Sequence, residues 1–424
     1  MRPILLFVSP VPPRASGSGV RMRAALQIAA LSRFFDVDLT VIRSPASPVG
    51  DDIDPEIAAL CRRTFVVTAE PSGFVGFYEM LKSTQLRLFA RALHPKPMSS
   101  AVVSRHLPRL DAFARETDYA VVYAFRLWTA PFALSAASHM PRDGRRLVVD
   151  FDDIESEFAR RQARTMRAES GLQIALLTAF EAGKLRRLER RAIRGFDTVC
   201  VCSGIDRDKL RAAHPEATKI AIVPNVVRDP GGFAGTPAEK KGRPPVLLFV
   251  GSLDYLPNID GLIHLAGAIL PRLREIAGAP FELRVVGRSP GPEVKTIAAQ
   301  AGLTLIADAE SPAPHYRDAA AVLVPLRLGG GTRIKILEAF SYGRAVISTS
   351  IGAEGIEAEH GRNILIADDP TAFARHCVEL MARPDQARRV AMAGRDLFER
   401  SYSPAALERV FAAMFGIKGP GPAR

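Results

Sequence analysis

The residues most able to do chemistry stand together between Pro325 and Gly343: Gly329, Gly330, Gly331, Thr332, Arg333, Lys335 and Glu338. Glycines let backbone N–H groups approach a ligand closely, and a helix starting just after them turns its positive end toward an anion. The spacing of Ile334, Leu337, Glu338 and Ser341 predicts that helix, with Thr332 placed to cap it. Arg333 and Lys335 fall in its first turn, where the helix dipole would favour acids, so a bound polyanion accounts for them. Glu338 then supplies an acceptor for paired sugar hydroxyls. A glycine-rich loop before a solvated basic helix start is the other reading. The order of residues is not that of a P-loop, because the lysine follows Thr-Arg instead of preceding Ser or Thr.

A second set lies near the N-terminus. Gly17, Gly19 and Arg21 sit between an apolar run and a helical pattern, where tight backbone could reach a phosphate or a sugar; an ordinary βα turn reads equally well. The run Val121–Phe125 ends at Arg126, a partner for an anionic acceptor or a donor phosphate, or one half of a surface ion pair. The run Leu147–Phe151 carries Asp150, Asp152 and Asp153 at its end, where open α/β sheets hold ligands. The Asp-x-Asp spelling also suits a divalent cation shared with a diphosphate, and a helix N-cap before Ile154 is a third reading. The eight histidines have no ligand spacing and the four cysteines no framework, so neither a metal site nor disulfides are expected, and a reducing cytoplasm is. No Gly-x-Ser-x-Gly elbow occurs.

These residues need elements to hold them. At 424 residues the chain exceeds what one core supports, and 47% apolar content is that of a globular protein. Short apolar runs alternate with amphipathic stretches, which predicts parallel sheets with crossover helices in each half. Strands are expected at Ile4–Val8, Val37–Ile42, Ala120–Phe125, Leu147–Phe151, Thr198–Cys202 and Ile220–Val223. The second half repeats them at Val246–Val250, Glu282–Val286, Leu303–Ala307, Ala321–Pro325, Ala345–Thr349 and Ile364–Ala367. Val20, Ala24, Ile28, Leu31 and Phe35 form one helix stripe. The Gly-, Pro- and charge-rich stretch 229–245 divides a domain at 1–228 from one at 246–396, with a terminal helix at 397–418. The net charge of +12 calls for an anionic partner. The basic helix Lys184–Arg194, with Leu185, Leu188 and Ile193 on one stripe, either lies on anionic lipid or packs on its sheet. Nothing resembles a signal sequence or a spanning helix, so membrane contact would be peripheral, and nucleic acid has little support.

In order along the chain, Val250-Gly251-Ser252, Pro257-Asn258-Ile259-Asp260-Gly261, Val285-Val286-Gly287 and Gly330 to Ala339 resemble the retaining family-four (group 1) glycosyltransferases of the GT-B fold. That resemblance implies two Rossmann-like domains facing a cleft, acceptor in the first and nucleotide sugar in the second, with the last helix crossing back to the first domain. It puts Gly251, Asn258, Gly287, Gly330, Gly331 and Thr332 on the donor, Glu338 on its ribose, and Gly17, Gly19, Arg21 and Asp153 on the acceptor side. The sequence departs from the family where a second glutamate would stand at Gly330, a histidine at Phe125, and an Arg and Lys within Ser252–Asn258. Arg333 and Lys335 therefore take over the diphosphate, without a metal or other cofactor, and Asp152 and Arg126 serve the reacting centre. The implied activity is sugar transfer to a hydroxyl of a lipid-linked or polysaccharide glycan with retention. A GT-B sugar-nucleotide epimerase and a non-catalytic basic protein that binds envelope polymer or nucleic acid are the alternatives.

Overall fold

The computed structural model describes residues 2–43, 52–69, 107–141, 144–169, 172–231, 243–329 and 332–417, and four isolated positions between 80 and 90. The chain forms two compact units, one of Met1–Pro224 with Glu408–Arg424 and the other of Asn225–Leu407. Of the stretch read as a linker, 232–242 lies outside the described residues, and Asp229 is held by Arg395 at 2.6 Å.

The first unit is built on strands β1 (Ile4–Ser9), β2 (Asp36–Arg43), β3 (Cys61–Thr68), β4 (Val121–Phe125), β5 (Arg146–Asp150), β6 (Thr198–Val201) and β7 (Ile220–Ile222). They lie in the order β3-β2-β1-β4-β5-β6-β7, every pair parallel. Near-continuous apolar runs such as Leu5–Val8 and Val121–Phe125 are buried on both faces, as a sheet covered by crossover helices requires. The first crossover is the helix Gly19–Leu31, which buries Ala24, Ile28 and Leu31.

The second unit contains β8 (Val246–Val250), β9 (Glu282–Gly287), β10 (Thr304–Ala307), β11 (Ala321–Val324), β12 (Ala345–Ser348) and β13 (Leu365–Ile366). Their order is β10-β9-β8-β11-β12-β13, again all parallel. In both sheets the chain winds outward one way from the first strand and then restarts on its other side, at β1/β4 and β8/β11. Those are the switch points where open α/β sheets leave a crevice beyond the strand ends.

The terminal helix expected at 397–418 is two elements. The helix Pro384–Leu397 runs on as a widened turn to Tyr402, Ser403 turns extended, and Pro404 opens a fresh helix, Pro404–Phe415. From Glu408 on the chain belongs to the first unit, with Phe415 edge-on to Phe35 at 5.0 Å and Phe411 edge-on to Tyr123 at 6.2 Å. β3 is absent from the sequence reading because Arg62 and Arg63 interrupt its apolar pattern; both pair with the buried Asp38 of β2. The helix Leu172–Gly195 contains the basic stretch and turns Leu188 and Ile193 into the core, so those two cannot face lipid. No helix among the described residues is long and apolar enough to cross a membrane.

Gly287 ends β9 where a Cβ would collide with the carbonyl oxygen of Gly251 and stand 2.6 Å from Leu253. Because the clash is with backbone, Gly287→Ala should lower stability by about 1–3 kcal/mol. A lowered thermal midpoint without ligand would show this, and an unchanged midpoint would refute it.

Candidate functional site

The second unit gathers its chemistry at its switch point. β8 ends at Val250 and is followed by Gly251; β11 ends at Val324, and the chain reaches the helix Ile334–Ser341 through the glycine loop. Gly329 has φ +116°, a conformation that suits glycine, and a Cβ there would stand 3.1 Å from the Arg333 guanidinium. Gly330 and Gly331 lie outside the described residues.

Thr332 is not the cap. Arg333 occupies the N-cap position and makes no side-chain capping bond; its carbonyl accepts from the Ile336 N–H at 2.9 Å, and the N–H groups of Ile334 and Lys335 find no acceptor among the described residues. The Thr332 hydroxyl is buried and finds no hydrogen-bond partner among the described residues. Arg333 is itself buried and donates to the Ile351 carbonyl at 3.4 Å.

Lys335 reaches back under this loop. Its ammonium donates to Asn258 Oδ1 at 2.7 Å and lies 4.9 Å from the ring centre of Phe249. Asn258 is oriented in turn by donating to the Ser252 carbonyl at 2.8 Å. A Cβ on Gly251 would stand 2.7 Å from Asn258 Nδ2 and 2.9 Å from Lys335 Nζ, so only glycine admits this arrangement. No carboxylate pairs with Lys335 among the described residues. Burial, reinforced by the neighbouring Arg333 charge and opposed by Glu338, pulls its pKa down to about 7.

Glu338 lies one turn further along the same helix. Its Oε2 accepts from the Tyr316 hydroxyl at 2.8 Å, and Tyr316 stacks on Tyr342 at 5.1 Å. Burial raises the Glu338 pKa against the lowering effects of Tyr316 and Lys335. Tyr316 was not legible as a site residue, because it comes from the separate helix Ala313–Asp318 and only the folded sheet brings it to Glu338. Gly287, expected at the donor, is accounted for by the packing of β9 against the Gly251 turn.

The first unit has its own charged group at the ends of β4 and β5. Asp150 is fully buried and accepts from Arg23 at 2.8 and 3.1 Å, Gln27 at 2.5 Å, Tyr123 at 3.2 Å and the Asp152 N–H at 2.8 Å. Its oxygens are committed to these donors, which leaves the Asp-x-Asp cation reading without its first ligand. Arg23 also donates to the Val223 carbonyl at 2.9 Å and lies 3.4 Å from Asp152. It escaped the sequence reading, although a polar pair, Arg23 and Gln27, four residues apart in an apolar helix was its signal.

Asp152 and Arg126 lie 3.8 Å apart, and Arg126 also faces Glu155 at 3.9 Å. Both occupy the left-handed region, Asp152 at φ 54° and Arg126 at φ 70°, a conformation non-glycine residues hold only where the surroundings impose it. The Cys202 thiol donates to the Asp152 carbonyl at 2.9 Å and helps to impose it. Burial lifts the Asp152 carboxyl to about 6 against the two arginines, with Asp153 and Asp150 adding to the rise. Gly17, at φ +112°, precedes the helix that Gly19 opens and in whose first turn Arg21 stands. Among the described residues no three His, Cys, Asp or Glu side chains are grouped to hold a metal.

Sequence-family comparison matches residues 18–226 to the Glycosyl transferase 4-like domain and residues 244–383 to Glycosyl transferases group 1. A protein of the cps region of Klebsiella pneumoniae, described as an uncharacterized 44.6 kDa protein, is 27% identical over 177 residues, which are 40% of this chain and 45% of that protein. The aligned part is thus less than half of that relative's length. Among solved structures, a glycosyltransferase from Rickettsia africae aligns over 98% of both chains with a TM-score of 0.65 and 14% identity. The lipopolysaccharide outer core galactosyltransferase WaaB aligns over 97% of this chain and 99% of its own, with TM-score 0.60 and 14% identity. Anabaena HepE, solved with UDP and glucose, aligns over 98% and 100% at TM-score 0.61 and 13% identity in its UDP complex. With both units matched and the fold shared along nearly the whole length, this chain belongs to the group 1 glycosyltransferases and has the GT-B fold.

Proposed function

We propose that the chain transfers a sugar from a nucleotide diphosphate donor to a hydroxyl of a lipid-linked or polysaccharide glycan, with retention of configuration. The observation that carries this reading is Lys335, a half-buried ammonium beneath an uncapped helix start, with no carboxylate within ion-pair distance among the described residues. A diphosphate supplies the missing charge, accepting from Lys335, Arg333, Thr332 and the first N–H groups of the helix. Glu338, held by Tyr316, accepts from the ribose hydroxyls.

In the reaction the bond from the anomeric carbon to the diphosphate oxygen breaks, and the acceptor oxygen bonds to that carbon on the same face. The acceptor proton passes to the departing phosphate. Negative charge grows on the diphosphate as the bond lengthens, and the fixed cations and N–H groups of the site meet it there without a metal ion. Asp152 and Arg126 stand on the acceptor side, Arg126 orienting the carboxylate toward a sugar hydroxyl, with Gly17, Gly19, Arg21 and Asp153 around the acceptor. The kinship with a cps-region protein and the complexes of HepE with UDP and UDP-glucose support a role in polysaccharide assembly with a nucleotide sugar. No disulfide joins Cys61, Cys200, Cys202 or Cys377, which suits a reducing cytoplasm.

The test is thermal stabilisation and turnover with UDP-, GDP- and ADP-sugars, in EDTA and again with magnesium. Stabilisation by one nucleotide class in EDTA, followed by transfer to an added glycan, is expected. Conversion of the donor with no acceptor present would point to an epimerase. Activity restricted to magnesium would overturn the metal-free reading, and no stabilisation by any donor would overturn the donor site.

Lys335→Met should lower turnover by about 10²–10³-fold. Glu338→Gln should weaken donor binding by about tenfold, through the loss of a charged acceptor. Asp152→Asn should lower kcat while leaving the affinity for UDP unchanged. Lys335 binds phosphate in its protonated form, and a bound dianion raises its pKa. Donor affinity should therefore fall as pH rises through 7, by about tenfold per unit until the bound-state value is reached. Calorimetry across pH 6 to 9 would show this fall with proton uptake at neutral pH, and a flat profile would refute it.

A further inference from the structure

The helix Leu172–Gly195 packs into the first unit through Ala182, Leu188, Ala192 and Ile193. From Leu176 onward its exposed positions are Leu176, Ala179, Phe180, Gly183, Arg187, Arg190, Arg191 and Arg194. At 3.6 residues per turn these all fall within a sector of about 120°, one continuous stripe about 27 Å long. The first half of the stripe is apolar and the second half is arginine.

Leu176 is 56% exposed and Phe180, one turn further on, is 65% exposed. Large apolar side chains bared next to one another mark a surface that meets something. The charge on the stripe is of one sign. The helix's acids beyond Leu176 are turned inward, Glu181 paired with Lys184 at 2.9 Å and Glu189 bound to Ser156 and His214. Arg190 pairs with Glu216 at 3.0 Å, while Arg187, Arg191 and Arg194 make no ion pair among the described residues.

We propose that this stripe docks the first unit on an anionic lipid surface, with Leu176 and Phe180 entering the headgroup boundary and Arg187, Arg191 and Arg194 meeting lipid phosphates. An apolar half continuous with a cationic half fits a bilayer, which presents hydrocarbon and phosphate in adjacent layers. A nucleic acid would satisfy the arginines and leave Leu176 and Phe180 in water. The proposal stands apart from the donor chemistry, because lipid binding is measured without sugar.

The experiment is co-sedimentation of the full chain with phosphatidylcholine vesicles and with vesicles of equal parts phosphatidylcholine and phosphatidylglycerol, at physiological salt. Binding to the mixed vesicles alone is expected. The double variant Leu176→Ser with Phe180→Ser should lose at least about tenfold in partition. Arg187→Glu with Arg191→Glu should lose at least as much, since each cation at an anionic surface contributes about fivefold. Arg388→Glu with Arg389→Glu, the same charge change at exposed positions of the second unit, should bind within about twofold of the unaltered chain and so exclude net charge as the cause. An unchanged thermal midpoint and an unchanged far-ultraviolet circular dichroism spectrum would establish that each variant is folded. No binding to either vesicle, equal loss in the control pair, full binding by the stripe variants, or binding of an oligonucleotide in place of lipid would overturn the proposal.

Discussion

The second unit is organised around a charge that the protein does not neutralise. Taking an ammonium out of water is costly unless a counter-charge goes with it, and Lys335 has only a neutral amide, an aromatic face and a carboxylate further along its helix. Each neighbour makes sense as a way of holding that charge ready. Gly251 leaves the space, Asn258 accepts one hydrogen bond without cancelling the charge, and Phe249 faces it with the negative side of its ring. A carboxylate in place of Asn258 would stabilise the empty protein and fill the position an incoming anion needs.

The first unit treats the same problem in the opposite way. Arg23 and Asp150 are more deeply buried than Lys335, but they are bonded to each other and to Gln27, Tyr123 and the backbone of Val223. Such a network commits the Asp150 carboxylate: it ties the end of β5 to the middle of the first crossover helix and leaves that carboxylate nothing for a ligand. What it does for chemistry is indirect. Asp150 holds the N–H of Asp152, and that bond, with the Cys202 thiol on the carbonyl, keeps Asp152 in a left-handed turn facing Arg126. The strain at Arg126 and Asp152 is supported by a rigid base beneath them.

The contrast explains which parts could be read from sequence. Strands buried on both faces, such as Val121–Phe125 and Val246–Val250, are uninterrupted apolar runs, and their parallel pairing follows from the helices between them. β3 could not be read in that way, since an edge strand buries little and its arginines serve Asp38 across the sheet. Arg333, Lys335 and Glu338 could be read together because a helix start presents consecutive positions to an anion. Tyr316 and Arg23 come from elements far away in the chain, and no local pattern announces a contact that only the sheet order creates.

The lipid-facing stripe was hidden for a related reason. Read as sequence, the helix Leu172–Gly195 offers two apolar sets, and Leu188 with Ile193 beside a run of arginines looks like the amphipathic one. Folding assigns those residues to the core, because packing takes the face that carries Ala182, Leu188, Ala192 and Ile193. The face left over is apolar only toward its N-terminal end, at Leu176 and Phe180, and basic beyond. A periodicity that averages over the helix cancels such a division into halves. Exposure separates what the protein uses for its own core from what it leaves for a partner, and here the leftover face carries two bared apolar side chains followed by four arginines.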